Sequence, residues 1–506
     1  MSTAAPPALG GRNGNPVTAI GVDIGSTNTK VVLLEIADRS GVPRERGIRS
    51  FRTPDLPGEL GGAVLAAIRG LTSSQHGHPV AVGIASMAEG GIVLDRDGRP
   101  VGPIVRWTSA DSSPGLFDEL GSAEREELCL ATGVPATPKV PLATWHRLQF
   151  SEPDRWRKLA RWAGMADFIG LVLTRELATD HTLAGRTMGY RLPAAGTPVG
   201  EGFDDDLLGV AGMSAERMPR ILAPGEPVGT LVPGAAEAAG LAPDTPVFLA
   251  GHDHAVAAWA AGVRKHGQAA DSLGTTEALL RVVGSPIDRS AALADGMSVT
   301  RTVAGDLECL LAGASGGTVI ARWIAAHPEK DADVLFRALE LEGPGDAFVL
   351  PYPRGRQSPQ PDPAPRELLV GRTETTAEHL RAVLLGLTLH LRWMDETQNR
   401  ILGFAPTGLR IVGGAAAHNA AWNRLKSRLL QPPLAVVEAR EPVASGAALL
   451  AAVRIGAALP DAALPSLPFA SHPHPRADEL LTAFIEAATS TSPSPSRADS
   501  DDPAHA

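Results

Sequence analysis

Two stretches of the chain repeat one pattern, in which apolar runs flank a small polar turn. In Val17–Ile36 the runs VTAIGVDI and KVVLLEI flank the turn Gly25-Ser26-Thr27-Asn28, a pattern that predicts a β-hairpin. In Gln268–Val283, Asp271 and Gly274-Thr275-Thr276 precede the apolar run from Ala278 to Val283, predicting a second hairpin. Both follow the order Asp, Gly, Ser/Thr, apolar strand, and about half of the folded chain separates Asp23 from Asp271. A two-fold internal duplication is the expectation.

Further along, Ala81–Ala85 and Val247–Ala250 predict buried strands, and Gly58–Leu71 predicts a helix. Trp156–Leu177 carries apolar residues at helical spacing. Glu378–Leu402 predicts a long amphipathic helix leading into strand Leu409–Val412. The Ala-rich run Ala444–Leu459 carries Arg454 and predicts a buried helix rather than a membrane span. Six prolines in Pro351–Pro365 predict a loop over a cleft. Strands alternating with helices give an α/β fold class.

The ends carry no such pattern. Residues 1–16 are rich in Ala, Pro, Gly and Asn, and 489–506 in Ser, Thr, Pro, Asp and Ala. Neither can bury enough apolar surface to offset its ordering entropy, so both are expected to be disordered. No apolar signal segment is expected in the first 16 residues.

Composition narrows the function. The 506 residues are 44% hydrophobic and 20% charged, as in globular proteins, with a net charge of −10. That balance argues against a nucleic acid or an anionic membrane as main partner, and leaves a small-molecule substrate and a homodimer open. The only cysteines are Cys129 and Cys309. A disulfide framework and a cysteine zinc site are excluded, and a reducing, cytoplasmic location is expected.

Four clusters carry candidate chemistry, each with a plain structural alternative. A Walker A loop and a Gly-x-Gly-x-x-Gly helix start are both absent. The two hairpin turns can hold phosphate oxygens on backbone N–H groups and Thr hydroxyls, or can simply be turns. Asp23 can hold Mg2+ through water, and Lys30, one of only six lysines, can meet a phosphate. Gly251-His252-Asp253-His254 follows the run Pro246–Ala250, at a strand end where ligands bind in α/β proteins. Asp253 can accept a hydroxyl proton or cap the next helix. Joint metal ligation by His252 and His254 is the weaker idea, because a helix starting here would part them. Glu89, in Ser86-Met87-Ala88-Glu89-Gly90-Gly91, can bind polyol hydroxyls or be an exposed turn residue. Gly413-Gly414, with Asn419 before the next helix, can admit a flat adenine or be a plain strand-to-helix loop.

Taken in order, five motifs resemble the FGGY family of carbohydrate kinases. AIGVDIGSTNTKVVLLE resembles its first phosphate motif, and SMAEGGIVLDRDGRPVGPIVRW its substrate-side stretch. FLAGHDHAVAAWAAGV resembles the segment with the catalytic aspartate, DSLGTTEALL the second phosphate motif, and IVGGAAAHNAAWNRLKSRLL the adenosine motif. The match runs from about Ala19 to Ala458.

The resemblance implies two ribonuclease-H-like domains of the actin-like ATPase kind, residues 17–262 and 263–488, flanking a central cleft. It implies ATP and Mg2+, with Asp253 as catalytic base and Asp23 as metal partner. Thr27, Asn28, Lys30, Gly274, Thr275 and Thr276 would face the phosphates. Gly317, Gly414, His418 and Asn419 would border the nucleotide. Ala88, Glu89, Trp107 and His254 would join Asp253 on the substrate side. Glu89 sits where glycerol kinases also have glutamate and xylulokinases have histidine.

The sequence departs from the family after Trp107. The family commonly has Trp-x-Asp-x-Arg, whereas Thr108, Ser109, Ala110 and Asp111 follow here. The usual glycine–glutamate–arginine loop reads Gly355-Arg356-Gln357. The resemblance thus implies phosphorylation of a small sugar or polyol such as a ketose, pentulose, tetritol or glycerol, in a pocket of its own design. A non-catalytic sugar sensor and an actin-like ATPase are the alternatives.

Overall fold

The computed structural model describes residues 16–36, 42–73, 79–106, 115–331, 334–336, 345–414, 417, 419–456, 463–470 and 472–490. The expected disordered ends lie almost wholly outside these residues, as do Trp107, residues 108–111 and His418.

The first hairpin forms as its pattern predicts. Val17–Ile24 pairs antiparallel with Asn28–Ile36, in a register that sets Asp23 opposite Lys30. Val17–Ile24 also pairs in parallel with Val82–Ser86, which pairs in parallel with Pro246–His252. Pro43–Arg52 and Gly229–Thr230 complete a six-stranded sheet at its two edges.

The second hairpin, Gln268–Leu273 with Thr276–Val283, opens a seven-stranded sheet of the same design. Its first strand pairs in parallel with Gly408–Gly413, which pairs in parallel with Leu434–Val437. The expected duplication is therefore visible as a repeated topology. Each sheet buries an apolar face of Val, Leu and Ile under helices, one of them the 27-residue helix Thr376–Leu402. A capping box between Thr375 and Glu378 starts that helix.

Two helices of small residues join the halves. Pro442–Arg454 lies on the first sheet so closely that a Cβ at Gly21 would sit 1.8 Å from the Ala444 carbonyl oxygen. A Cβ at Gly83 would sit 2.0 Å from that of Ala447. Only glycine admits such an approach. Helix Asp253–Ala260 packs against Pro442–Arg454 and buries Ala257, Ala258 and Ala260 with Ala270, Ala278 and Val412 of the second sheet. The alanines let both sheets come close to one shared helical layer.

One expectation needs correction. Trp156–Leu177 is not a single helical stretch: helix Pro153–Lys158 ends, strand Arg161–Gly164 pairs with Gly91–Leu94, and a new helix runs from Met165 to Thr174. The Asp167 carboxylate accepts the Gly164 N–H at 2.8 Å, fixing the second helix start. Apolar spacing alone does not reveal the intervening strand, because its four residues, Arg-Trp-Ala-Gly, blend into the helical spacing on either side.

The proline-rich segment is the tip of a hairpin between Phe348–Tyr352 and Arg366–Val370. Its residues Pro353, Arg354, Gln357 and Pro361 line a cavity of about 1120 Å³, in keeping with the expected loop over a cleft.

Candidate active site

The two hairpin turns face one another across that cleft. In the first, the Gly25 N–H donates to the Asn28 carbonyl at 3.1 Å. The Thr53 hydroxyl donates to Gly25 O at 2.8 Å, and Arg106 donates to Ser26 O at 2.6 Å. In the second, the Gly274 N–H donates to Thr276 O at 2.8 Å.

Helix Gly317–Ala326 starts directly on this second turn. The Gly317 N–H donates to Gly274 O at 3.1 Å and the Thr318 N–H to Thr275 O at 3.0 Å. A Cβ at Gly317 would lie 2.4 Å from Gly274 O, so the contact requires glycine. The positive end of the helix therefore points at the turn, which favours a negatively charged group there.

Between the turns stands a compact ionic group. Lys30 lies 3.7 Å from Asp23 and 3.0 Å from Glu441, the residue that precedes helix Pro442–Arg454. Burial pushes the Asp23 carboxyl up to about 7; Lys30 opposes the shift, and Asp253 and Glu441 add to it. Asp23 Oδ1 is buried and has no hydrogen-bond partner.

Asp253 opens its helix at the end of strand Pro246–His252, and the local backbone explains how it is presented. Gly251 adopts φ 124°, with Asp180 and Thr182 packed where a side chain would go. The Thr182 hydroxyl accepts the His252 N–H at 2.8 Å and donates to Asp180 at 2.5 Å. Asp253 Oδ1 lies 3.2 Å from His252 Nε2. Burial holds His252 down at about 3, so it is neutral at pH 7. His254 Nδ1 lies 2.9 Å from Ser272 Oγ, and its Nε2 lies 4.0 Å from Asp253 Oδ1.

Glu89 faces the same cavity, with Arg186 at 3.6 Å. Arg186 donates to Ser298 Oγ at 2.9 Å, and Lys139 approaches Gln357 Oε1 at 3.5 Å. Burial lowers the pKa of Lys139, a shift that Glu89 opposes and Arg354 and Arg186 reinforce.

One cavity of about 260 Å³ brings together Asp23, Thr27, Asn28, Lys30, Glu89, Asp253, His254, Gly274, Thr275, Thr276 and Gly414. It adjoins the larger cavity through shared walls at Ser26, Thr27, Lys139, Thr275, Thr276 and Gln357. Three candidates stand behind this surface. Ala88 is buried beside Glu89, Gly317 supports the second turn, and Asn419 caps helix Ala420–Leu429 by accepting the Trp422 N–H at 2.9 Å.

Glu441, Lys139, Arg186 and the buried Lys426 escaped the sequence reading. The scarcity of lysine that marks Lys30 marks Lys139 and Lys426 as well. Glu441 offered a weaker signal, an acidic residue directly before a helix-starting proline.

The two sheets flanking a cleft are the actin-like ATPase architecture of the FGGY kinase structures. A model of the FGGY family of carbohydrate kinases, N-terminal domain, matches residues 18–260, and that of the C-terminal domain matches residues 270–455. The chain belongs to this family. It is 28% identical to a xylulose kinase of Streptomyces coelicolor (86% of this chain, 87% of that one). It is 23% identical to a gluconokinase of Bacillus subtilis (85% and 86%). The crystal structure of a gluconate kinase from Lactobacillus acidophilus superimposes with a TM-score of 0.78 at 20% identity, covering 94% of this chain and 99% of that one. Among the described residues, no helix is long and apolar enough to cross a membrane.

Proposed function

We propose that this carbohydrate kinase transfers the γ-phosphoryl of ATP to a hydroxyl of a small sugar or polyol, with Asp253 as general base. The observation that carries the reading is the single cavity shared by both hairpin turns, Asp253 and Glu89. The turn amides with Thr27, Asn28, Thr275 and Thr276 hold the phosphates. Gly414 borders the adenosine, on the loop whose following helix Asn419 caps. Glu89, seconded by Arg186 and His254, binds the hydroxyls of the acceptor.

Asp253 orients the attacking hydroxyl and takes its proton as the oxygen–phosphorus bond forms, while the bond to the ADP oxygen breaks. Neutral His252 beside it leaves the carboxylate free to act as acceptor. Lys30 offers its charge to the transferring group. Phosphoryl transfer has a loose transition state, so positioning and electrostatics carry most of the effect.

The unpartnered, buried Asp23 Oδ1 fits a magnesium shell, either directly or through water. Mg2+ bound there supplies neutralising charge on the phosphate oxygens.

A coupled ADP-release screen over ketopentoses, ketohexoses, aldonates, tetritols, pentitols and glycerol tests the proposal. ADP release that depends on one of these acceptors, with a mass gain of about 80 Da on it for the phosphoryl group, is the expected result. ADP release independent of every acceptor would overturn it.

A further inference from the structure

Beneath the second hairpin lies an ionic cluster that the transfer chemistry does not use. Lys426, on helix Ala420–Leu429, donates to Asp271 and, at 3.1 Å, to Glu277. All three side chains are fully buried. Asp271 and Glu277 lie on the two strands of the hairpin, on either side of the Gly274-Thr275-Thr276 turn. The Lys426 ammonium also sits 4.3 Å from the Trp422 ring centroid.

The same helix, nearer its N-terminus, holds Ala417 and Asn419. Asn423 donates to Ala417 O at 2.7 Å, and Trp422 donates its backbone N–H to Asn419. Trp422 is in turn anchored by its indole N–H on Thr388 of the long helix, at 3.1 Å. A continuous set of contacts thus runs from the phosphate turn through Lys426 and Trp422 to Ala417 and Asn419.

Stability alone does not account for this cluster. Replacing a buried ion group with apolar side chains of similar volume is often neutral or stabilising, because desolvation cancels much of the attraction. Two buried acids share the one ammonium, and burial drives the Glu277 carboxyl well above the usual range, with the neighbouring Asp271 adding to the shift and Lys426 opposing it. What directional bonds supply, and apolar contacts do not, is a fixed register between the elements they join.

We propose that Lys426, Asp271 and Glu277 are positioning residues that lock the second phosphate turn to Ala417 and Asn419 in one preformed nucleotide half-site. The inference rests on the kinase reading above. Loosening the clamp would let the turn and these residues move independently, so that each nucleotide bound would have to order them.

The test uses the full chain and a fluorescent N-methylanthraniloyl-ADP as probe. The variant Asp271→Val/Glu277→Met/Lys426→Met replaces the three charges with apolar side chains of roughly similar volume and leaves no buried charge or amide unpaired. It is expected to melt at or above the wild-type temperature yet bind the probe about tenfold more weakly, the loss that 1.4 kcal/mol of added ordering cost would give. Glu277→Gln alone, which keeps the Lys426–Asp271 pair, is expected to weaken binding by a smaller factor and serves if the triple variant fails to fold. A folded variant that binds the probe as the wild type does overturns the clamp and leaves the kinase reading intact. A wild type that does not bind the probe overturns both.

Discussion

The Lys30 ammonium lies 3.0 Å from the Glu441 carboxylate, although the two come from opposite ends of the chain. Lys30 reaches the site from the first hairpin, and Glu441 from the start of a helix that returns to lie on the first sheet. Glu441 therefore holds the lysine beside Asp23. Replacing Lys30 with Met is expected to lower kcat by about 10²–10³-fold, the usual loss when a preorganised charge-stabilising group is removed. Glu441→Gln leaves the charge in place but unguided, and is expected to cost about tenfold or less. Steady-state ADP release with the accepted sugar checks both. A Glu441 effect as large as that of Lys30 would contradict a guiding role.

Asp253→Asn should preserve the fold, since the amide can still accept the His254 N–H that Asp253 Oδ1 accepts at 2.7 Å. It cannot take up a proton. The expected loss in kcat is about 10²–10⁴-fold, as for other general bases, with nucleotide affinity unchanged. Turnover near the wild-type rate would remove Asp253 from the mechanism.

Asp23 links the site to pH. Its folded pKa, about 7, stands above the reference value of 3.8 that the unfolded chain would show. The fold thus holds this proton more tightly than the unfolded chain does. The associated stability is present in acid and is lost as pH rises from about 4 through about 7. Asp23→Asn removes the cost of a buried carboxylate, so it should raise the ligand-free melting temperature more at pH 7.5 than at pH 5. The same substitution should abolish magnesium-dependent turnover. An equal thermal gain at both pH values would mean that Asp23 titrates normally.

Gly83 tests the helix that closes the fold. Its missing Cβ would fall 2.0 Å from the Ala447 carbonyl oxygen, a backbone atom with no freedom to turn aside. Gly83→Ala is expected to destabilise by at least about 1–3 kcal/mol, the usual cost of overpacking. Gly62→Ala, in helix Pro57–Thr72 with nothing within 4 Å of the new methyl, is expected to stabilise by roughly 0.5–1 kcal/mol. Denaturant midpoints of the two variants should move in opposite directions.

The local pieces were legible because each rests on contacts a few residues apart. Alternating apolar runs around Gly25 and Gly274 specify hairpins, and the Asp23–Lys30 pairing follows once the turn is set. The helix after Asp253 and the capped helix at Thr375 are likewise written in adjacent residues. The strand Arg161–Gly164 was not legible, since four residues without a clear alternation blend into the helical spacing around them.

Most of the elements, the order of the motifs and the residue types suited to phosphate and hydroxyl chemistry are written along the chain. Which of those residues meet depends on the three-dimensional packing. It brought Glu441 to Lys30, Arg186 to Glu89 and Lys426 to Asp271. Each pairing depends on helices and strands crossing between distant segments, where charge and close packing, rather than local periodicity, fix the partner.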